Sequence, residues 1–160
     1  MADGWHINEA VLAELYGSDP VPKEKNRLQQ DLCDMDIRRF GMPVLTDRID
    51  KEKGIIRGPI VLQITRAKNV SHPKISEVSR TSDGIIRLHL TDGHGAASAI
   101  ILQTIKGLDG STPPGTKVLI TGDAPVEAGF IFVTSQNIRV LGGHVDALIQ
   151  KWKLEQGSQI

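Results

Sequence analysis

Ile86-Arg87-Leu88-His89-Leu90-Thr91-Asp92-Gly93, with the returning run Ala96 to Leu102, decides the fold class. Ile86, Leu88 and Leu90 alternate with Arg87, His89 and Thr91. A period of two puts the aliphatic set on one face of a strand and the polar set on the other, whereas a helix needs a period near 3.6. Asp92-Gly93 is the strongest hairpin signal in the chain, because a type I′ turn sets both central residues at positive φ. A half-buried hairpin therefore seeds this part of the molecule.

Outward from the hairpin the same texture continues. Ile60, Leu62 and Ile64 alternate with Val61, Gln63 and Thr65. Thr112-Pro113-Pro114-Gly115 is a rigid turn into Lys117 to Thr121, where Val118 and Ile120 share a face. Glu127-Ala128-Gly129 turns into Phe130 to Thr134, and Ile138 to Leu141 completes the set. After Gly142-Gly143 the period changes: Val145, Leu148, Ile149 and Trp152 fall at i, i+3, i+4 and i+7, which predicts a closing helix over 143–155. Lys151 and Lys153 suit its C-terminal dipole end. Short strands with tight turns predict a mainly β domain, a five-stranded OB-type Greek-key barrel. One stretch breaks the pattern. Residues 69–82 join two strands with a Pro, several Ser and mixed charges, too long for a hairpin loop, and long irregular loops on rigid barrels are where function concentrates.

Before residue 55 the apolar spacing is helical. Ile7, Val11, Leu12, Leu15 and Tyr16 form one stripe, stopped by Gly17-Ser18-Asp19-Pro20. A second helix is predicted from near Pro22, carrying Leu28 and Leu32 inward, and a short third piece runs from Asp36 to Phe40. The predicted organisation is a small helical domain over 1–54 and an OB barrel over 55–160, with the boundary in Asp50-Lys51-Glu52-Lys53-Gly54. A helical unit of about fifty residues has too little core to stand alone and is expected to lean on the barrel. Charge follows the same division: 8 basic and 11 acidic residues in 1–54, against 11 basic and 8 acidic in 55–160, from totals of 19 and 19.

Composition removes several function classes. Zero net charge takes away the simplest argument for nucleic-acid binding. No apolar run approaches the roughly 18 residues of a membrane span. Met1 to Glu9 has neither a basic nor an apolar leader region, so secretion is not expected. The one cysteine, Cys33, fits a reducing compartment. His89 and His94 flank Asp92, yet no cysteine or helical i, i+4 pair supports a metal site, and none is expected. No nucleophile elbow, Walker loop or dinucleotide fingerprint occurs, so neither an enzyme nor a cofactor is expected. OB barrels bind single strands with aromatic platforms in basic grooves. The outward residues Ile85, Arg87, His89 and Thr91, and Ala96 to Ala99, include no aromatic. Phe130, Phe132 and Trp152 are the only aromatics after residue 54. Phe130 and Phe132 share one strand face and Trp152 completes a helical stripe, so all three are assigned to the core. This points to a protein partner, with direct binding of single-stranded nucleic acid as the alternative.

Four phrases carry more than a generic barrel: Gly58-Pro59-Ile60-Val61-Leu62-Gln63-Ile64, Leu90-Thr91-Asp92-Gly93, Pro113-Pro114-Gly115-Thr116-Lys117 and Val140-Leu141-Gly142-Gly143-His144-Val145. In this order they resemble the N-terminal helical and OB-fold region shared by Tudor domain-containing protein 3 and RecQ-mediated genome instability protein 1. The resemblance spans nearly the whole chain. It implies a non-catalytic partner of topoisomerase III, whose insertion loop between the first two barrel strands docks on the enzyme's gate and modulates strand passage. That loop corresponds to residues 69–82. Asn69-Val70-Ser71-His72-Pro73-Lys74 looks like the Tudor-type start of the loop, an Asn-Val followed two residues later by Pro-Lys. The implied binding residues are therefore Asn69, Val70, Ser71, His72, Pro73 and Lys74, with Val70 as apolar anchor and Pro73 limiting the entropy lost on docking. The short loop and the closing Leu148 to Glu155 look like the Tudor branch, which works with topoisomerase III beta on DNA and RNA. The alternative is the RecQ branch, with topoisomerase III alpha in dissolving recombination intermediates. The resemblance implies a monomer in cytoplasm and nucleus that meets nucleic acid through the topoisomerase. It departs from the Tudor branch in one respect: these residues contain no counterpart of the ubiquitin-binding and Tudor domains, so either they are a piece of a longer protein or this chain does not read methylarginine.

Overall fold

Residues 4–17, 25–70 and 85–157 are described in the structure, a computed structural model. Among the described residues nine strands follow one hydrogen-bonded order, β1-β2-β7-β8-β5-β4-β3-β6-β9. They are β1 Ile49–Asp50, β2 Ile55–Arg57, β3 Ile60–Asn69, β4 Ile86–Thr91, β5 Ala96–Ile101, β6 Lys117–Ile120, β7 Asp123–Glu127, β8 Phe130–Val133 and β9 Ile138–Gly142. β8 runs parallel to β5 and β9 antiparallel to β6. Only the turn 134–137 separates β8 from β9, so the chain itself closes the curled sheet. The five-stranded OB barrel is β3, β4, β5, β6 and this split last strand. β1, β2 and β7 extend the sheet from β8.

The alternation read from sequence positions the barrel core. Leu62, Ile64, Ile86, Leu88, Leu90, Ile101, Val118, Ile120 and Ile131 are buried in one cluster. β3 from Ile60 to Ile64 and all of β6 are buried on both faces, because the helical unit covers their outer side. That unit comprises α1 Glu9–Tyr16, capped by Asn8, α2 Lys25–Cys33, a 3-10 turn Ile37–Arg39 capped by Asp36, and α3 Leu45–Arg48. Its own core is Leu28, Leu32, Ile37 and Phe40, with Trp5, Val11, Leu12 and Leu15 packed around them. The predicted start of α2 near Pro22 lies outside the described residues.

Three buried polar side chains fasten the two parts together. Lys117 is fully buried, and its Nζ donates to the carbonyls of Cys33 (2.9 Å), Met35 (2.7 Å) and Gly115 (2.9 Å). Gln63, also fully buried, accepts from Ile37 N at 2.7 Å and donates to Asp36 Oδ1 at 3.1 Å. Asp92 Oδ2 accepts from Val44 N and Leu45 N, opening α3, while its Oδ1 accepts from His94 N and Gly95 N. Where the closing segment passes α2, Gly143 sits at φ +115 and an added Cβ would strike the Cys33 carbonyl. The closing helix itself is α4, Asp146–Gly157, with Val145 and Ile149 buried.

Two sequence expectations change here. The charged stretch Asp50–Gly54 is the turn of the β1–β2 hairpin, and Val44, Leu45 and Ile49 already pack with the barrel core. The chain thus enters the barrel before any linker. The Asp92-Gly93 hairpin is real, but its turn is not the two-residue type I′. Thr91 pairs with Ala96 across four intervening residues, and of these Gly93 alone adopts positive φ, +104. Asp92 is committed to capping instead. The turn with positive φ at both central residues is Ala128 (+52) and Gly129 (+83), between β7 and β8.

Candidate functional site

The insertion 69–82 leaves the barrel from the end of β3 and returns at β4. Asn69 pairs with Ile86 as the last rung of the β3–β4 ladder, and one step further Val70 N donates to Ile85 O at 2.8 Å. On the other side of β4, Ile86 pairs with Ile101, so Leu102 falls beside Ile85. Ile86 and Ile101 are in the core, so the alternation turns Ile85 and Leu102 outward, and Val70 with them. Val70, Ile85 and Leu102 are 45%, 40% and 56% exposed, three of the five exposed large hydrophobics among the described residues. They form one aliphatic rung across three strands at the roots of the insertion. Of the six implied binding residues, Asn69 and Val70 stand on this rung and the one before it. Ser71, His72, Pro73 and Lys74 lie outside the described residues.

The next outward rungs carry a different chemistry. By register, Lys68, Arg87, Ile100 and Phe132 lie side by side, followed by Arg66, His89, Ser98 and Phe130. The expectation that Phe130 and Phe132 are core residues is overturned. Ile131 and Val133 are the buried members of β8, and the two phenylalanines are half-buried on the outer face. In an all-apolar run such as Phe-Ile-Phe-Val, period two cannot say which pair turns inward; the small barrel takes the branched aliphatic pair. The Arg87 guanidinium lies over the Phe130 ring, 5.2 Å from its centroid, and reaches Ser98 Oγ at 3.4 Å. His89 is held below the usual imidazole range by its burial and by the charges of Arg87, Arg66 and Lys68. Trp152 is likewise half-buried rather than core. It lines an open groove of about 490 Å³ together with Arg38, Arg66, Lys68 and Lys151.

Metal or nucleophilic chemistry finds no geometry in the described residues. Asp92 is saturated by four backbone N–H groups, and His94 Nε2 sits 2.9 Å from the Gly41 carbonyl. No group of three His, Cys, Asp or Glu gathers among the described residues. Cys33 is buried and burial pushes its thiol up to about 11, so it stays protonated at neutral pH. No helix among the described residues is long and apolar enough to cross a membrane.

Comparison with known proteins agrees with this architecture. Residues 44–156 match the family described as RMI1, N-terminal OB-fold domain. The chain is 39% identical over 122 residues to Tudor domain-containing protein 3 of Xenopus tropicalis, covering 76% of this chain and 17% of that protein. It is 32% identical over 160 aligned residues to the Danio rerio protein of the same name, covering 96% and 21%. With RecQ-mediated genome instability protein 1 of Gallus gallus it shares 27% over 146 residues, covering 76% and 23%. The chain thus spans roughly a fifth of the length of these relatives.

Proposed function

The chain belongs to the RMI1 N-terminal OB-fold family, and on that footing we propose that it is a non-catalytic scaffold that binds topoisomerase III beta through the insertion between β3 and β4. The observation that carries this reading is the rung Val70–Ile85–Leu102. Aliphatic side chains that add nothing to the core and cluster where a long insertion leaves and re-enters the barrel are better accounted for by a partner than by the fold. Val70 anchors the contact, Pro73 restricts the loop, and Asn69, Ser71, His72 and Lys74 supply polar contacts at its rim. Docked on the enzyme's gate, the insertion modulates passage of DNA or RNA strands, in nucleus and cytoplasm, and the scaffold needs no cofactor. The shortness of the insertion favours the beta over the alpha enzyme.

Size-exclusion chromatography of the chain with purified topoisomerase III beta and, separately, topoisomerase III alpha tests the reading. Co-elution with the beta enzyme is expected, and deletion of residues 71–82 abolishes it. Val70→Asp weakens the complex by about 2 kcal/mol, roughly thirtyfold in Kd. Full binding by the deletion variant removes the loop from the interface, and co-elution with the alpha enzyme alone moves the chain to the RecQ branch.

A further inference from the structure

We propose that the open edge of β3 over residues 65–68, at the floor of the groove beside α4, docks an extended acidic segment of a partner protein as an added β-strand. The recognising chemistry is a pair of backbone hydrogen bonds to Ala67, with carboxylates of the segment on Arg66, Lys68 and Lys151.

β3 outruns its neighbour on one side. β6 pairs with it only from Ile60 to Gln63, and Ile64 exchanges its two backbone bonds with Gly115 N and Thr116 O. Further along, Gly110 closes in, where an added Cβ would lie 3.3 Å from Asn69 N. Between these points residues 65–68 have β4 on one side and the groove on the other. Backbone groups alternate between the two sides of an antiparallel strand. Val70 N donates to Ile85 O, so Lys68 and Arg66, two and four residues back in the same register, also turn to β4. Ala67 therefore turns its N–H and C=O into the groove, where no described strand meets them.

The walls decide which strand fits. Arg66, Lys68 and Lys151 are exposed and form no ion pair among the described residues, while Arg38 is shared with Asp36. Glu155 is the one carboxylate among the described residues on the lining, and Leu148 with half-buried Trp152 supplies an apolar wall. The bulge between Ile64 and Arg66, together with these cations, ordinarily turns other strands away from an edge. For an acidic strand the same cations become docking contacts, so edge protection turns into selectivity. A strand is selected over a helix because the unmet groups at the floor are a backbone donor and acceptor. A second copy of this chain does not supply it from its own sheet edges: β1 has two residues, and β9 carries Arg139 and no carboxylate. Phosphates would satisfy the cations yet leave the Ala67 donor and acceptor without a matching pair. The site lies next to the Val70 rung but uses neither that rung nor the insertion.

Fluorescence anisotropy of a labelled, end-capped peptide Asp-Val-Glu-Val-Asp-Ile-Glu with the whole chain, from 50 to 300 mM salt, tests the edge. Binding that weakens with salt is expected. The same peptide N-methylated at every amide keeps its charge and loses its backbone donors, and it binds at least tenfold more weakly. Arg66→Glu with Lys68→Glu, both at exposed positions, lowers affinity at least tenfold and flattens the salt dependence. Ala67→Pro removes the one N–H aimed at the groove and spares the ladder to β4, and it lowers affinity at least tenfold with the salt dependence unchanged. Circular dichroism shows whether these variants are folded. Amide exchange in the unaltered chain gives the same reading without a variant: saturating peptide slows exchange at the Ala67 N–H at least tenfold. Deletion of residues 71–82 leaves peptide affinity as it was, so failure of the topoisomerase reading and failure of this one are told apart. Absence of binding at 50 mM salt overturns the proposal, as does unchanged exchange at Ala67 in the complex. Equal affinity for the N-methylated peptide, or full displacement by an equal concentration of oligo-dT, overturns it in favour of a general anion surface.

Discussion

Lys117 is the residue on which the two parts of the molecule turn. Its ammonium is fully buried and gives its three N–H groups to three carbonyls, two of them, Cys33 and Met35, at the end of α2. A cation at a helix C-terminus is in favourable field, but burial opposes the charge and pushes the amine down to about 8. At pH 7 it remains protonated. Lys117→Met keeps most of the volume and strands three buried carbonyls; we expect a loss of about 3 kcal/mol in urea unfolding. The pH dependence has a definite sign. With a folded value near 8 against 10.5 unfolded, the unfolded chain binds more protons between those limits, so this group makes stability rise with pH there. Cys33, raised to about 11, and Tyr16, raised to about 12, push the other way. The difference between wild type and Lys117→Met across pH 8 to 10.5 reports the lysine together with its hold on the Cys33 thiol, which the ammonium lowers, and equal slopes in the two proteins refute the assignment. Nothing local in Thr116-Lys117-Val118 marks it, since its partners Cys33 and Met35 lie in another element.

At the scale of elements, legibility followed length and pattern. β3, β4, β5, β6, the split last strand and α4 were readable because aliphatic and polar residues alternate, or recur every three to four positions, over a full element. β1, β2 and β7 were not: β1 and β2 are two and three residues long, and β7 carries Pro125 in its middle, so none gives a periodic signal. Asp92-Gly93 shows how a sequence signal misleads when a side chain has another task, since Asp92 caps α3 and its own loop and the two-residue turn falls between β7 and β8 instead. Ala128 occupies the left-handed region at φ +52, at a steric cost of about 1 kcal/mol for a Cβ-bearing residue. Asn tolerates that conformation, so Ala128→Asn should stabilise the protein by about 0.5 kcal/mol and raise Tm by about 1–2 °C in a thermal melt. A lower Tm would mean that the turn relaxes in solution to a geometry with negative φ. The outer face of β4 and β8 was half legible: the polar positions Arg87 and His89 were placed correctly, while Phe130 and Phe132 were placed inside. Only pairing with β5 decides that, and β5–β8 is a parallel contact between segments far apart in sequence.

For the whole molecule, the expectation that the helical unit leans on the barrel acquires a mechanism. The net charges of the two parts are small, and the joint is instead built from Lys117, Gln63 and Asp92, each buried and each bonded across it. Buried polar groups of this kind are costly to separate, because each would leave donors or acceptors unmet. The helical unit and the barrel are therefore expected to unfold in one transition. In a Trp152→Phe background, Trp5 fluorescence reports the helical unit alone, and far-UV circular dichroism reports the sheet. The two urea curves should coincide. Asp92→Ala removes the acceptor of four backbone N–H groups, two in the hairpin loop and two at α3. It should shift both curves together by about 3 kcal/mol. Acid should do the same by protonation. Burial raises the Asp92 carboxyl, but its four N–H partners outweigh burial and hold it below 3.8; burial also opposes ionisation of Asp36, which Arg38 and Gln63 hold low. Carboxyls depressed in the fold add stability above their unfolded value near 3.8 and lose it as pH falls through their folded values. Both probes should therefore fall together on acidification below about pH 4. An early loss of the Trp5 signal with the sheet intact would show instead that the helical unit can detach from a barrel that stays folded.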